Sequence, residues 1–263
     1  MYPKNLLVTG AIVLYENSFE VVNEAIKSFL STDINVKLFL IDNSLDDKLK
    51  GLAQDCRIEY FKLPKNIGFG AAHNIAFKKA FELNSNYHLV LNPDIYFDPG
   101  TIEKIVDFME TNQDVGHLMP KVLYPDGGLQ YLCKTNPTIF DLFARRFLPS
   151  TIQKLFSKRM AKYEYQDRDY QSIMYDIPYL SGCFMFLRVS KLKEVGLFDE
   201  RIFMYIEDAD LTRRFLEKSR TVYYPLVEVF HLFAKGSHKS WKLTWYSIHG
   251  AFVYFKKWGF KLY

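Results

Sequence analysis

The chain has 263 residues, 49% of them hydrophobic and 17% aromatic, and its net charge is only +4. That apolar content supplies a core for one large or two modest domains and excludes a disordered chain. The modest charge and the lack of any recognised motif argue against nucleic acid as a partner. No apolar run approaches the ~20 residues of a membrane span, and Cys56, Cys133 and Cys183 lack the spacing of a zinc site or disulfide framework, which fits a reducing, cytoplasmic setting.

Leu6 to Leu14, interrupted by Thr9-Gly10, reads as a buried first strand rather than a signal peptide, since it has no basic flank or small-residue cleavage site. Ser18 then stands as the N-cap of a helix whose apolar face is Phe19, Val22, Ala25, Ile26 and Phe29. Val36 to Ile41 is a second strand, ending at Asp42-Asn43-Ser44, and Ile58 to Leu63 a third. The loop Asn66-Ile67-Gly68-Phe69-Gly70 leads into a helix over Ala71 to Leu83, Tyr87 to Leu91 is a fourth strand, and Ile102, Ile105, Val106 and Met109 mark the next helix. This alternation predicts an α/β fold with a Rossmann-like, mainly parallel sheet flanked by helices. From 125 to 175 the rhythm breaks, with Pro125, Gly127, Gly128, Pro137 and Pro149 and no clean period, as in an insertion or lid. Tyr179 to Leu187 resumes as a strand, Asp208 to Leu216 as a helix, Thr221 to Tyr224 as a short strand, and Ser240 to Trp258 as a helix.

Three distant segments carry chemistry. Asn92-Pro93-Asp94 follows the apolar run of the fourth strand, and ligands of open α/β sheets collect at such carboxyl ends. A carboxylate there can hold a divalent cation against a diphosphate, because magnesium needs only one or two protein ligands besides substrate phosphates. The same triplet is also good turn chemistry. Glu207-Asp208-Ala209-Asp210 opens a helix beside the apolar stretch Phe203-Met204-Tyr205-Ile206. Acids in a first turn stabilise the helix dipole, but three exceed what capping needs, and one can deprotonate an attacking hydroxyl. Arg213 or Arg214, one turn on, is placed to pair with Asp210. His231 completes a metal shell or is an ordinary half-buried histidine. Asp42 can accept hydrogen bonds from a pyrimidine or ribose, or cap a turn. Asn66-x-Gly68-x-Gly70 resembles a phosphate cradle, yet lacks the Gly-x-Gly-x-x-Gly order and any P-loop Lys, which disfavours a dinucleotide dehydrogenase or P-loop NTPase.

With Val13-Leu14-Tyr15-Glu16-Asn17, Leu40-Ile41-Asp42-Asn43-Ser44, the loop from Asn66 to Asn74, Leu91-Asn92-Pro93-Asp94-Ile95, Ser181-Gly182-Cys183-Phe184-Met185, Gly196-Leu197-Phe198-Asp199-Glu200 and Phe203 to Leu211, closed by His231 and Ser237, the chain resembles an inverting glycosyltransferase of the GT-A fold. The resemblance is to the family-two type that also contains cellulose synthase, in the rhamnosyltransferase-like branch of bacterial O-antigen and capsule synthesis. It implies a single domain over 1–263: a nucleotide-binding half to 120, an acceptor and catalytic half over 121–235 with a variable insertion at 135–175, and a C-terminal basic aromatic helix at 236–263.

The same resemblance implies that Ala11 and Asp42 border the base, that Asn66 and Gly68 approach the nucleotide, and that Gly182 lets the backbone approach the donor sugar. Asn92 and Asp94 stand where the family has its Asp-x-Asp, with Asp94 and His231 holding Mg2+ or Mn2+. Asp208 is then the general base, supported by Glu207. Asn92 departs from the motif by replacing its first acid. The implied donor is dTDP-rhamnose, with galactofuranose, fucose or N-acetylhexosamine as alternatives, and the implied acceptor a polyprenyl-diphosphate-linked saccharide. A nucleotidyltransferase would need a Gly-rich basic loop where Tyr15-Glu16-Asn17 stands, and a non-catalytic sugar-nucleotide binder is opposed by intact Asp94, Asp208 and His231. A lipid-linked acceptor also implies a peripheral position at the inner face of the cytoplasmic membrane. The acid-free basic stretches at 142–163 and after Glu228, with Phe143, Phe147, Phe156, Trp241, Trp245 and Phe252, are the candidate membrane surface.

Overall fold

In the computed structural model, which describes residues 3, 5–147, 152, 154–232 and 241–263, the first four strands lie where alternation places them. β1 (Leu7–Leu14), β2 (Asn35–Asp42), β3 (Ile58–Lys62) and β4 (Tyr87–Leu91) pair in parallel in the spatial order β3-β2-β1-β4. Helices α1 (Phe19–Leu30), α2 (Phe69–Glu82) and α3 (Thr101–Thr111) cover them. α1 buries Val22, Ala25, Ile26 and Phe29 as its periodicity requires, although the Ser18 hydroxyl bonds Glu20 rather than capping the backbone. On the opposite face of the sheet, Ala72 and Ala76 of α2 pack on Ala11, Phe39 and Ile41.

The remaining strands, β7 and β9 apart, extend the sheet from β4 and mix its directions. They are β5 (Ile95–Tyr96), β6 (Val115–Leu123), β7 (Cys133–Lys134), β8 (Met174–Tyr175), β9 (Tyr179–Leu180), β10 (Phe184–Arg188) and β11 (Arg220–His231). The full order is β3-β2-β1-β4-β10-β6-β11-β5, with β8 also on β11. β10 runs antiparallel to β4 and β6, and β5 and β8 run antiparallel to β11. The sheet is therefore less uniformly parallel than the alternation predicts.

Four further departures have local causes. β6 escapes the sequence pattern because Pro120 interrupts it. Proline removes a ladder donor, but β10 pairs only with His117 and Leu118, so no bond on that side is lost. The expected strand Tyr179–Leu187 is two strands: β9 joins β7 in a small separate ladder, β10 enters the main sheet, and Ser181-Gly182-Cys183 makes the break. β11 continues well past Tyr224 because a register shift between Tyr224 and Glu228 absorbs Pro225. The segment 125–175 holds helices α4 (Ile139–Phe147) and α5 (Ser157–Tyr163), the first opened by a reciprocal cap between Thr138 and Asp141.

Three more helices complete the chain: α6 (Val189–Val195), α7 (Glu207–Leu216) and α8 (Trp241–Trp258). β1, β2 and β4 all end at one edge of the sheet, and β10 starts there, with Phe184 opposite Leu91. Among the described residues no helix is long and apolar enough to cross a membrane.

Candidate active site

Asn92-Pro93-Asp94 is both a turn and a strand end. Ile95 N–H donates to the Asn92 carbonyl at 3.3 Å, and Asn92 N–H donates to the Cys183 carbonyl at 2.9 Å, tying the triplet to the start of β10. The two-residue ladder of β5 on β11 then sets His231 opposite Ile95, and Leu232 N–H donates to the Asp94 carbonyl at 2.9 Å. His231 Nε2 thereby lies 3.3 Å from Asp94 Oδ1. Residues 137 positions apart in the chain are thus joined by local backbone pairing. Gln130, which no sequence pattern singled out, touches the other side of the same ring at Nδ1, 3.0 Å from its Oε1.

The donor set suits a divalent cation. Neighbouring ligands around an octahedral cation with ~2.1 Å bonds stand roughly 3 Å apart, close to the observed separation; the carboxylate suits Mg2+ or Mn2+ completed by phosphate oxygens, and the imidazole favours the transition metal Mn2+. Among the described residues no group of three His, Cys, Asp or Glu side chains could hold a metal unaided. The pair therefore needs the substrate's oxygens.

Helix α7 follows Tyr205 and Ile206, both left-handed with φ of 73° and 71°. A β-branched residue rarely adopts that conformation, and this pair turns the chain immediately before the first turn of α7. Its three acids have three different surroundings. Asp208 is half-buried, and its Oδ2 accepts from Gly182 N–H at 2.8 Å and from the Tyr179 hydroxyl at 3.3 Å. A Cβ on Gly182 would stand 3.0 Å from Asp208 Cβ, so this glycine makes room for the carboxylate. Glu207 is buried, and its Oε2 makes no hydrogen bond among the described residues. Burial, and then the charge of Asp208, push its carboxyl well above the usual carboxylate range. Glu207 backs Asp208 from the interior without a hydrogen bond between them.

Asp210 is structural. Arg214 Nε, Trp258 Nε1 and Lys257 Nζ meet its carboxylate at 3.0, 2.8 and 2.7 Å, bolting α8 onto α7. Arg214 is thus its expected arginine partner, while Arg213 stacks on Trp258. Asp94 and Asp208 share one neighbourhood through Cys183 and its flanking backbone. Burial pushes this thiol up to about 12, Ser181 and Lys134 oppose the rise, and Asp94 and Asp208 both add to it. Lys134 is a second residue missed in the sequence: it is buried, with Nζ 4.6 Å over the Tyr179 ring beside Asp208. It lay in the stretch without periodicity.

The nucleotide-side residues are more enclosed than the sequence suggests. Asp42 is fully buried and accepts from Ser44 N–H at 2.8 Å, the Tyr60 hydroxyl and Lys62 Nζ at 3.2 Å. Burial opposes its charge, but the bonds from Ser44, Tyr60 and Lys62 outweigh it and hold the carboxyl below its ordinary range. Asn66 Oδ1 accepts from Gly68 N–H at 2.9 Å. Gly68 has φ of 93°, and a Cβ there would strike the Phe203 carbonyl. Phe69 N–H, at the start of α2, donates to that same carbonyl, so this helix terminus is capped by protein rather than held open as a cradle. Gly70 and Asn74 likewise serve packing, against Phe198. Ala11 is a correction: it is fully buried in mid-strand under Ala72 and Ala76 and has no surface to offer a base.

Solved structures share this architecture. Staphylococcal (S. aureus) TarS 1–349 superposes with a TM-score of 0.59 at 16% identity, covering 86% of this chain and 60% of its own. GalNAc-T7 with UDP, GalNAc and Mn2+ gives 0.62 at 14% identity, over 88% of this chain and 44% of its own. The mannosyltransferase PcManGT from Pyrobaculum calidifontis, in complex with GDP-Man and Mn2+, gives 0.58 at 13%, over 90% and 59%. These define the fold as the GT-A fold of glycosyltransferases. The profile of glycosyl transferase family 2 matches residues 11–196, and the chain belongs to that family. Within it, the chain is 28% identical over 214 residues to the N-acetylglucosaminyl-diphospho-decaprenol L-rhamnosyltransferase of Mycobacterium tuberculosis, covering 77% of this chain and 68% of that one. The chain is a glycosyltransferase similar to the rhamnosyltransferase-like branch.

Proposed function

We propose that the protein transfers L-rhamnose from dTDP-rhamnose, with inversion, to a hydroxyl of a polyprenyl-diphosphate-linked saccharide in bacterial surface polysaccharide synthesis, O-antigen or capsule. The observation that carries the proposal is the half-buried Asp208 carboxylate, oriented by Gly182 N–H at the sheet edge that also holds Asp94 and His231. Asp208 takes the proton of the acceptor hydroxyl as its oxygen bonds the anomeric carbon. The bond to the diphosphate breaks on the opposite face, which inverts the anomer. Asp94 and His231 would hold Mg2+ or Mn2+, which when bound neutralises charge on the departing diphosphate. On this reading Asn66, Gly68, Asn92 and Gly182 stay on the donor side, while Asp42, with no exposed surface, supports that side from behind. The mycobacterial relative's name, an L-rhamnosyltransferase for a decaprenol-linked sugar, supports both sugar and acceptor class.

A panel of nucleotide sugars with a short prenyl-diphosphate-linked acceptor tests this. Release of nucleoside diphosphate should be fastest with dTDP-rhamnose, stop in EDTA, return with Mg2+ or Mn2+, and give an inverted product by NMR. A retained anomer removes the single displacement. Full rate in chelator removes the metal, and a clear preference for another donor replaces rhamnose.

The membrane partner belongs to the same proposal and is supported by α8. Trp241 is 89% exposed, and Trp245, Ile248 and Phe252 continue its outward stripe, with no acid after Glu228. Arg159 leaves the candidate surface, because it pairs with Asp141 at 2.9 Å and stacks on Tyr263. Phe156 packs on Phe140. The side chains of Arg145, Arg146 and Phe147, and Ser237, lie outside what the structure describes. Flotation with anionic vesicles should weaken with salt and with Trp241→Ala/Trp245→Ala, while transfer to a soluble acceptor survives. No flotation at any salt ends the membrane clause.

A further inference from the structure

Gln130 is 5% exposed and sits just past the turn that ends β6, where Tyr124 N–H and Gly128 O close the chain back on itself. Its amide nitrogen donates to the His231 carbonyl at 3.0 Å and to the Leu123 carbonyl at 3.3 Å. An amide so placed cannot be flipped, because its oxygen would then face two carbonyl oxygens. Oε1 is therefore the atom 3.0 Å from His231 Nδ1. An acceptor at that distance requires the imidazole proton on Nδ1, and the neutral ring then presents Nε2 as an acceptor. Nε2 in turn stands 3.3 Å from Asp94 Oδ1. Two acceptors facing each other repel unless positive charge lies between them. A cation held by both residues would relieve that repulsion.

We propose that Gln130 is the positioning residue that sets the His231 tautomer and so presents Nε2, beside Asp94, as a metal ligand. Its grip has two points on one residue, the backbone carbonyl and the ring nitrogen, which fixes both the end of β11 and the ring's orientation. The use of the tautomer rests on the assignment of Asp94 and His231 to the cation; the tautomer itself does not. Second-sphere partners of ligating histidines commonly change metal affinity by about 10–100-fold when removed.

Two measurements test it. In wild-type protein, in chelator at pH 8, nitrogen NMR of the His231 ring (assigned by its loss in His231→Asn) should show Nδ1 protonated and Nε2 bare. The reverse assignment overturns the proposal and needs no variant to fold. Gln130→Met, close in volume but without amide groups, should bind Mn2+ in the presence of dTDP about 10–100-fold more weakly by EPR titration. Binding of dTDP without metal should stay near wild type, while the melting temperature falls by a few degrees because buried carbonyls lose their donor. If wild type binds Mn2+ and folded Gln130→Met binds it equally well, the role of Gln130 falls alone. If wild type binds no Mn2+ with dTDP, the metal assignment of Asp94 and His231 falls and this proposal with it.

Discussion

In the parallel half of the molecule, Asp94 apart, polar side chains at and beyond the strand ends are closed onto the protein itself. Asp42 is taken by Ser44, Tyr60 and Lys62, Asn66 by Gly68, and Asn74 by Phe198 and Glu200. In the half from β6 onward, α7 carries three acids of one motif, and no two share an environment. Asp210 is neutralised by Arg214 and Lys257, Glu207 is sealed in the interior, and of the three only Asp208 is not buried. The first half is a frame whose local bonds set the edge of the sheet. The second sorts identical chemistry by tertiary contact, and the proposed general base is the acid the sorting leaves accessible.

The strongest way to break this comparison is to exchange the acids one at a time. Asp208→Asn should keep donor binding and lower turnover by ~10²–10⁴-fold, the usual contribution of a general base. Glu207→Gln should stay within a few-fold of wild type, because a carboxyl held protonated by burial and by Asp208 is already close to an amide in charge and shape. Single-turnover transfer assays on both variants decide it. Near-wild-type turnover in Asp208→Asn with loss in Glu207→Gln would reverse the roles.

The third acid should show its effect in stability. Asp210 is 1% exposed and meets two cations and an indole N–H. Removing one partner of a buried ion network strands the others, typically at about 3–5 kcal/mol. Asp210→Ala should therefore unfold at markedly lower urea concentration than Asp208→Ala, whose carboxylate is only half-buried. Equal loss in the two would mean that α8 is held by apolar packing alone.

These contrasts also explain what the sequence could tell. β1, α1, β2, β3, α2 and β4 were legible because each depends on its own periodicity, and the turn at Asn92-Pro93-Asp94 on its own residues. The split at Ser181-Gly182-Cys183 was not, because it is set by Asp208 lying against Gly182 and by Cys133 and Lys134 pairing with β9. β6 was hidden by a proline whose missing donor matters little, and that depends on where a neighbouring strand stops. Asp94, Asp208 and His231 were visible as residue types. Gln130 and Lys134 were not, since one follows a Gly-rich turn and both lie where no period exists; only the fold carries them to the site. Ala11 marks the opposite failure, since its position within the strand leaves it in the core.

The smallest expected effect lies beneath the sheet, where the two halves should behave alike. His73 and His88 belong to the parallel half and His117 to β6, and all three are fully buried. Burial lowers His73 well below the ordinary imidazole value, with His88 adding to it, and lowers His88 and His117 to about 3. Above pH 6.5 neither the folded nor the unfolded chain protonates them, so they are neutral to stability. Between 6.5 and 3 the unfolded chain takes up protons that the native fold refuses, and stability falls by about 1.4 kcal/mol per pH unit for each histidine. Glu207, raised by burial, works in the opposite direction over part of this window, because its native form holds a proton that the unfolded chain releases above its ordinary value. A single substitution isolates one group from that sum. Both ring nitrogens of His117 lack hydrogen-bond partners among the described residues, so His117→Leu removes the titration without stranding a donor or acceptor. Urea unfolding of the variant and wild type should give a nearly constant difference from pH 8 to 6.5. Below that, the difference should move in the variant's favour by about 1.4 kcal/mol per unit. Parallel stability curves down to pH 5 would mean that His117 takes up its proton in the folded state.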